Sequence, residues 1–257
     1  MKFGELIKHS RPDLVVSPRH DAWMKQNSNP KYSEEALEFG REQLMLQATP
    51  RDRRGTISAS SLGSCRRRQI FTYLGYYEIP PSPKVAAIFQ NGTFMHIRWQ
   101  MAGLTEGWLA QAEVPVGENK YSMSGTQDGI AYEGSIVEFK SINSNGFRGV
   151  NTFGVKDEHK FQVGTYGAAT GVDKAVVIYE CKDTQDYREF VVNIDDELIK
   201  DVQTITDLVW DLVERNELPE PLAPCEEKTG FRYNGCPFRD RCLQTRNYEH
   251  AKEIAAA

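Results

Sequence analysis

The run Ile136-Val137-Glu138-Phe139-Lys140 places a carboxylate and an ammonium in the middle of an apolar stretch. A short run rich in β-branched and aromatic residues reads as a buried strand. Residues two apart on a strand leave the same face, so Glu138 and Lys140 emerge together. Charged side chains are seldom enclosed without a partner or a task. Asp128 stands near the end of the preceding apolar segment, 121–130, and Gly129 and Gly134 flank the turn between the two. On adjacent antiparallel strands, Asp128 and Glu138 can converge on one cation. Carboxylate oxygens suit a hard divalent ion such as Mg²⁺. Such an ion polarises a phosphoryl group and lowers the pKa of bound water. Lys140 can position that water or steady developing negative charge. The set suits metal-assisted hydrolysis of a phosphodiester; a buried Glu–Lys ion pair is the plainer alternative.

Periodicity places this pair inside a longer pattern. Residues 33–47 read as an amphipathic helix with Ser33 as N-cap. Residues 60–76 read as helical, prolines at 80, 81 and 83 break the chain, and 86–109 reads as a second long helix. Strands are expected at 111–116, 121–130 and 134–141, a helix at 157–171, and strands at 174–181 and 187–194. Leu198, Val202, Ile205, Leu208, Val209 and Leu212 mark a final amphipathic helix over 195–216. This order predicts an α/β sheet with helices on its faces.

The chain carries 31 Lys and Arg against 36 Asp and Glu, a formal charge of −5, which excludes a uniformly basic nucleic-acid coat but not a local basic groove. Arg51, Arg53, Arg54, Arg66, Arg67 and Arg68 form such a local excess. No apolar run approaches the roughly 20 residues that span a bilayer, and the first residues lack the apolar stretch of a secretory signal. The expected setting is the cytoplasm, with no membrane contact. In a reducing compartment the five cysteines do not read as a disulfide framework. Cys181, in an apolar strand, reads as a core residue. Cys225, Cys236 and Cys242 sit among turn formers near the end of the chain, and Cys65 is far upstream. These four can close one thiolate site, and four thiolates suit either zinc or an iron–sulfur cluster.

Two further elements flank the central pair. His96, in Gly92-Thr93-Phe94-Met95-His96, can add an imidazole to the same ion, a mixed set that also suits Mn²⁺. Gln162 and Tyr166 are four apart on the next helix and share a face. Taken in order, Gly92 to His96, Gly125 to Asp128, Glu138 to Lys140 and Gln162 to Tyr166 resemble the motif series of the PD-(D/E)XK nuclease superfamily, in its RecB-like exonuclease branch. The split cysteine set resembles the iron–sulfur subgroup of that branch, which includes CRISPR-associated RecB-like exonucleases and the AddB nuclease domain. The tail departs from the subgroup pattern, because ten residues separate Cys225 from Cys236 where a Cys-x-x-Cys pair is familiar.

The resemblance implies a restriction-endonuclease-like core over 56–215 with a central mixed sheet flanked by helices. An accessory segment (1–55) would precede it, and a tail (216–257) would close a 4Fe-4S cluster with Cys65. It implies His96, Asp128 and Glu138 as ligands to Mg²⁺ or Mn²⁺, with the Phe139 carbonyl as a fourth, and Lys140 as catalytic lysine. Gln162 and Tyr166 would shape the site, and Glu113 could add a carboxylate through water. Arg66, Arg67, Arg68, Lys182 and Arg188 are candidate phosphate contacts. The implied function is a metal-dependent DNA exonuclease acting on single-stranded or frayed ends in recombination, repair or CRISPR adaptation, possibly phage-encoded, with a recombination or CRISPR adaptation protein as partner. A non-catalytic DNA-binding or assembly module on the same fold, and a restriction-type endonuclease, are the alternatives.

Overall fold

In the computed structural model, residues 14–26, 31–46, 55–75, 80–117, 123–228 and 235–256 are described. Of the arginine cluster, Arg51, Arg53 and Arg54 lie outside these residues. The charged strand is β4 (Ile136–Ile142), near the middle of a mixed sheet. β2 (Leu109–Val116) pairs antiparallel with β3 (Met123–Ala131), and β3 pairs antiparallel with β4. β5 (Lys174–Cys181) runs parallel to β4 over a seven-residue register from Ile136–Ala175 to Ile142–Cys181. β6 (Tyr187–Asn193) closes that side antiparallel to β5. A short strand that the sequence pattern missed, β1 (Ile57–Ser58), pairs parallel with the start of β3.

Alternation along β4 sorts the two layers. Val137 and Phe139 turn to one face, where they pack with Met95, Trp99, Trp108, Val176 and Ile178 under helix α4 (Pro83–Glu106). Ile136 and Ile142 turn to the other, with Val163, Tyr166, Val177 and Tyr179. Helices α5 (Ser144–Phe153) and α6 (Asp157–Thr170) supply that second layer, and α7 (Asp196–Glu214) packs on α6. Glu138 and Lys140 share this second face, as period-two geometry requires.

Local chemistry explains where elements begin and end. Pro83 does not break the long helix but opens it: Ser82 is the N-cap, its Oγ accepting from the Val85 amide, and proline suits the first helical turn because its missing N–H is an orphan there anyway. The helix expected over 60–76 starts only at Arg66, as α3 (Arg66–Leu74), and stops at Gly75 with a left-handed φ of 72°. Ahead of it, Ser61 Oγ donates to the Ser58 carbonyl at 2.7 Å, and such short polar side chains compete with helix formation. Helix α5 has no counterpart in the sequence reading. Its Asn and Gly residues suggest a loop, yet Asn143 Oδ1 accepts from the Gly146 amide at 2.8 Å and starts the helix. Gly129 lies near the end of β3, within the strand expected over 121–130, and a Cβ there would meet Leu109 Cδ1 at 2.5 Å.

Before the core, α1 (Ser17–Gln26) and α2 (Glu34–Leu46) lie along α4. The buried Glu189 carboxylate on β6 accepts from the amides of Val15 (2.6 Å), Val16 and Ser17 (2.6 Å), capping α1 from across the fold. His20 stacks on Trp99 with ring centroids 4.0 Å apart. At the other end, α8 (Ala223–Glu226), α9 (Arg239–Gln244) and α10 (Tyr248–Ala256) follow α7, and Phe238, Cys242 and Ala251 pack on Phe71 of α3. Among the described residues no helix is long and apolar enough to cross a membrane.

Candidate active site

The ladder between β3 and β4 is short. It holds Gly129 opposite Val137 and Ile130 opposite Ile136, and then stops. One residue further, the Asp128 carboxylate takes over: its Oδ2 accepts the Phe139 amide at 2.7 Å. The fork between the strands is thus held by a side chain. From the α4 face, His96 Nδ1 stands 3.3 Å from Asp128 Oδ1. From the α6 face, Lys140 Nζ donates to Glu138 Oε1 at 2.6 Å and to Gln162 Oε1 at 2.9 Å, while Gln162 Nε2 donates to Glu138 Oε1 at 2.8 Å. Gln162 therefore satisfies both charged partners with the two ends of one amide. Tyr166 donates to the Thr126 carbonyl at 2.9 Å and accepts from Gln162 at 3.3 Å.

The motif glycine beside Asp128 has a steric reason. A Cβ on Gly125 would sit 2.8 Å from the Tyr166 ring. Gly125, Tyr166 and Gln162 thus form one packed column on the same side as Lys140. His96, Asp128, Glu138, Lys140, Gln162 and Tyr166 are brought together as the sequence suggested. Phe139 anchors the other face, its ring stacked on Trp99 at 5.7 Å.

Burial and charge set the protonation states. Burial, and then the Asp128 charge, push Glu138 up to about 7. Burial would also raise Asp128, but His96, Lys140 and the Phe139 amide outweigh it and hold Asp128 below the usual carboxylate range. Burial pulls His96 down, and the Asp128 charge and hydrogen bond reverse this, leaving it raised. Lys140 is raised in the same way by Glu138 and Asp128. Glu138 Oε2 is buried and has no hydrogen-bond partner among the described residues. An orphaned carboxylate oxygen is costly unless something fills its place. Together with Asp128 and His96 it offers the oxygen and nitrogen donors that suit Mg²⁺ or Mn²⁺. As the side chains stand, no three His, Cys, Asp or Glu among the described residues are gathered closely enough to cage a single metal ion.

Beside Glu113, which the sequence reading named, further supporting residues emerged that the motifs did not point to. Gln100, fully buried one turn after His96, donates from Nε2 to the Asp128 carbonyl and to Glu113 Oε1, both at 2.8 Å. The i,i+4 spacing from His96 was the available signal. Glu113 sits in β2 with a φ of 51°, between the pairs Ala112–Gly129 and Val114–Gln127. A non-glycine residue in that region carries about 1 kcal/mol or more of strain, here at the position beside Asp128. On β5, the buried Glu180 accepts from Trp99 Nε1 at 2.6 Å and pairs with Arg98, fastening the helix that carries His96. Across from Lys140, Tyr179 meets His159 Nδ1 at 2.6 Å; burial, then Lys140, push His159 down to about 3.

The remaining candidates divide. Cys65, Cys225, Cys236 and Cys242 line one cavity of about 220 Å³, together with Arg68 and Arg239. Cys242 is pushed up to about 11 by burial, against the pull of Arg67. Cys181 is buried at the end of β5, away from this cavity. Arg66 and Arg68 are exposed, but Arg67, expected at a phosphate-binding surface, is 3% exposed. Its guanidinium donates to the carbonyls of Pro219 (2.6 Å), Cys242 (2.9 Å) and Thr245, so it ties α3 to the C-terminal segment. Arg188 is half-buried and in register with Lys140 through Tyr179, and Lys182 follows β5 beside Ile142.

The fold is similar to that of an alkaline exonuclease, LHK-Exo, from Laribacter hongkongensis. The TM-score is 0.51 at 20% identity, over 63% of this chain and 90% of that one. The structure of LHK-Exo in complex with dAMP gives a TM-score of 0.52 over the same shares and at the same identity. No protein-family model and no curated protein sequence matches the chain. The likeness is one of fold: a mixed sheet flanked by helices.

Proposed function

We propose that the protein is a metal-dependent deoxyribonuclease that hydrolyses DNA from its ends. The observation that carries this reading is the fork at Asp128. Two buried carboxylates stand on the adjacent strands there, a histidine lies 3.3 Å from one of them, and an amide and a lysine hold the other. Asp128, Glu138 through its orphaned Oε2, and His96 would hold Mg²⁺ or Mn²⁺, with the Phe139 carbonyl as a further donor. The bound cation would supply Lewis acidity and a more acidic water. The chain's own groups do the rest. Lys140 keeps its proton and presents a fixed positive charge where negative charge develops on phosphate. Gln162 shares the Lys140 ammonium with Glu138, and Tyr166 keeps the Gln162 amide in place. The exonuclease character of a protein with the same fold favours action at ends.

The four cysteines around one cavity support a cofactor there. Four thiolates suit a 4Fe-4S cluster, the cofactor proposed here, with a structural zinc ion as the alternative. Such a cluster would join the tail to α3, a connection that Arg67 already makes through three carbonyls. The setting that the resemblance of the motif series implies, and that is proposed with it, is recombination, repair or CRISPR adaptation. End-labelled linear DNA and a closed circular control, each incubated with Mn²⁺ or Mg²⁺, test the activity. Loss of linear DNA with an intact circle is the expected result, and cutting of the circle would favour the endonuclease reading. Visible absorption near 400 nm in an anaerobic preparation, on the order of what thiolate-bound iron gives, tests the cluster; a colourless zinc protein would contradict it.

A further inference from the structure

Helix α4 begins well clear of the sheet. Val85, Ile88 and Phe89 are exposed, Phe89 by 62%, and burial sets in only at Met95. Val85, Phe89, Gly92 and His96 recur at helical spacing and make one stripe. Gly92 marks where that stripe passes β4, since a Cβ there would lie 4.0 Å from Ser141 Cβ. Phe89 stands seven residues before His96, roughly 10 Å along the helix axis.

The charge of this helix is as distinctive as its exposure. The chain carries 36 acidic residues and a net charge of −5, yet α4 has none before its last residue, Glu106. Lys84 lies in its first turn, and Gln90, Asn91 and Thr93 separate the apolar positions. An exposed apolar stripe that carries Phe89, on a helix without carboxylates before its last residue, fits a polyanion that has flat apolar faces. Duplex DNA keeps its bases stacked on one another, whereas a single strand has faces to offer.

Building on the nuclease reading above, we propose that the projecting half of α4 is the entry platform for a single-stranded DNA end, with Phe89 stacking on an unpaired base two turns before the Asp128–Glu138–Lys140 centre. Stacking of this kind tolerates any base, because each has a π-face. The platform would make an unpaired end the preferred substrate and a blunt duplex end the poorer one.

The test is a fluorescence titration of a single-stranded oligonucleotide carrying 2-aminopurine near its end. It is run without divalent cation, using wild type, Phe89→Ala and Phe89→Tyr. Wild type and Phe89→Tyr should quench the probe on binding. Phe89→Ala should bind about tenfold more weakly and quench little, with an unchanged melting temperature because the side chain is exposed. Equal binding and quenching by Phe89→Ala overturns the proposal, as does absence of quenching by wild type. A shift from dimer to monomer in Phe89→Ala with unchanged DNA binding also overturns it, since the stripe would then join copies of the chain. A parallel Mn²⁺ degradation assay keeps the two readings apart. Wild type that binds and stacks but degrades nothing sinks the nuclease reading, and degradation with the same KM in Phe89→Ala sinks the platform alone.

Discussion

The Asp128 carboxylate accepts the Phe139 amide at 2.7 Å, one residue past the last paired residue of β3 and two past that of β4. This bond makes Asp128 a structural clasp as well as a candidate ligand. It also fixes the proton inventory, because the same carboxylate is what lifts His96. In Asp128→Asn that lift is gone, and burial and the Lys140 charge are opposed by Glu138 alone, so the His96 titration should move down. NMR of the imidazole protons reads this directly. An unmoved His96 titration would show that the 3.3 Å contact does not govern it.

Metal binding should depend on pH through Glu138. Its carboxyl is pushed up to about 7, so below that a cation must displace a proton. Mn²⁺ affinity should climb by more than tenfold per pH unit below 7, because Glu138 and the raised His96 must both give up a proton to bind the ion. Glu138→Gln should make that slope shallower, leaving the part that His96 contributes. The metal-free protein should show the opposite trend. A folded-state pKa raised from 4.5 means the folded chain holds the extra proton, so this stabilisation is full below 4.5 and is lost as pH rises through about 7. Calorimetry at several pH values, with and without Mn²⁺, checks both signs.

Gly125→Ala should cost about 1–3 kcal/mol through overpacking, because its Cβ would press on the Tyr166 ring. Displacing that ring disturbs Gln162, so kcat should fall while KM changes little. Denaturant unfolding and steady-state kinetics on one preparation measure both. An unchanged midpoint would mean that the ring has room to move.

Arg67 separates a structural arginine from surface ones. Arg67→Met would leave the carbonyls of Pro219, Cys242 and Thr245 without their donor in a buried place, a loss of about 2–4 kcal/mol. The salt dependence of DNA binding should stay as in wild type. Arg66→Ala with Arg68→Ala should do the reverse, leaving stability alone and flattening the salt slope by about one unit per lost phosphate contact. A flattened slope in the folded Arg67 variant would contradict its placement.

The parts legible in the sequence were those with a short period. Alternation alone put Glu138 and Lys140 on one face, and four-residue spacing put Gln162 and Tyr166 on another. What could not be read depends on contacts far apart in the chain. Nothing near Glu189 in sequence says that it caps Val15 to Ser17, and nothing near Glu180 points to Arg98 and Trp99. Arg66, Arg67 and Arg68 look alike as neighbours, but only the helical turn decides that the middle one faces inward. Helix α5 was hidden because Asn143, Gly146 and Gly149 carry loop propensities that its N-cap and the packing of Val150 override. The cysteines were visible as a set, while their gathering around one cavity required the fold.

The most direct test of the central claim is Mn²⁺-dependent degradation of end-labelled linear DNA by wild type and Lys140→Ala, compared at matched melting temperature. Wild type should shorten the label, and Lys140→Ala should lose activity by about 10²–10³-fold, the scale seen when a transition-state charge partner is removed. Undiminished degradation by Lys140→Ala, or none by wild type with either metal, would contradict the assignment.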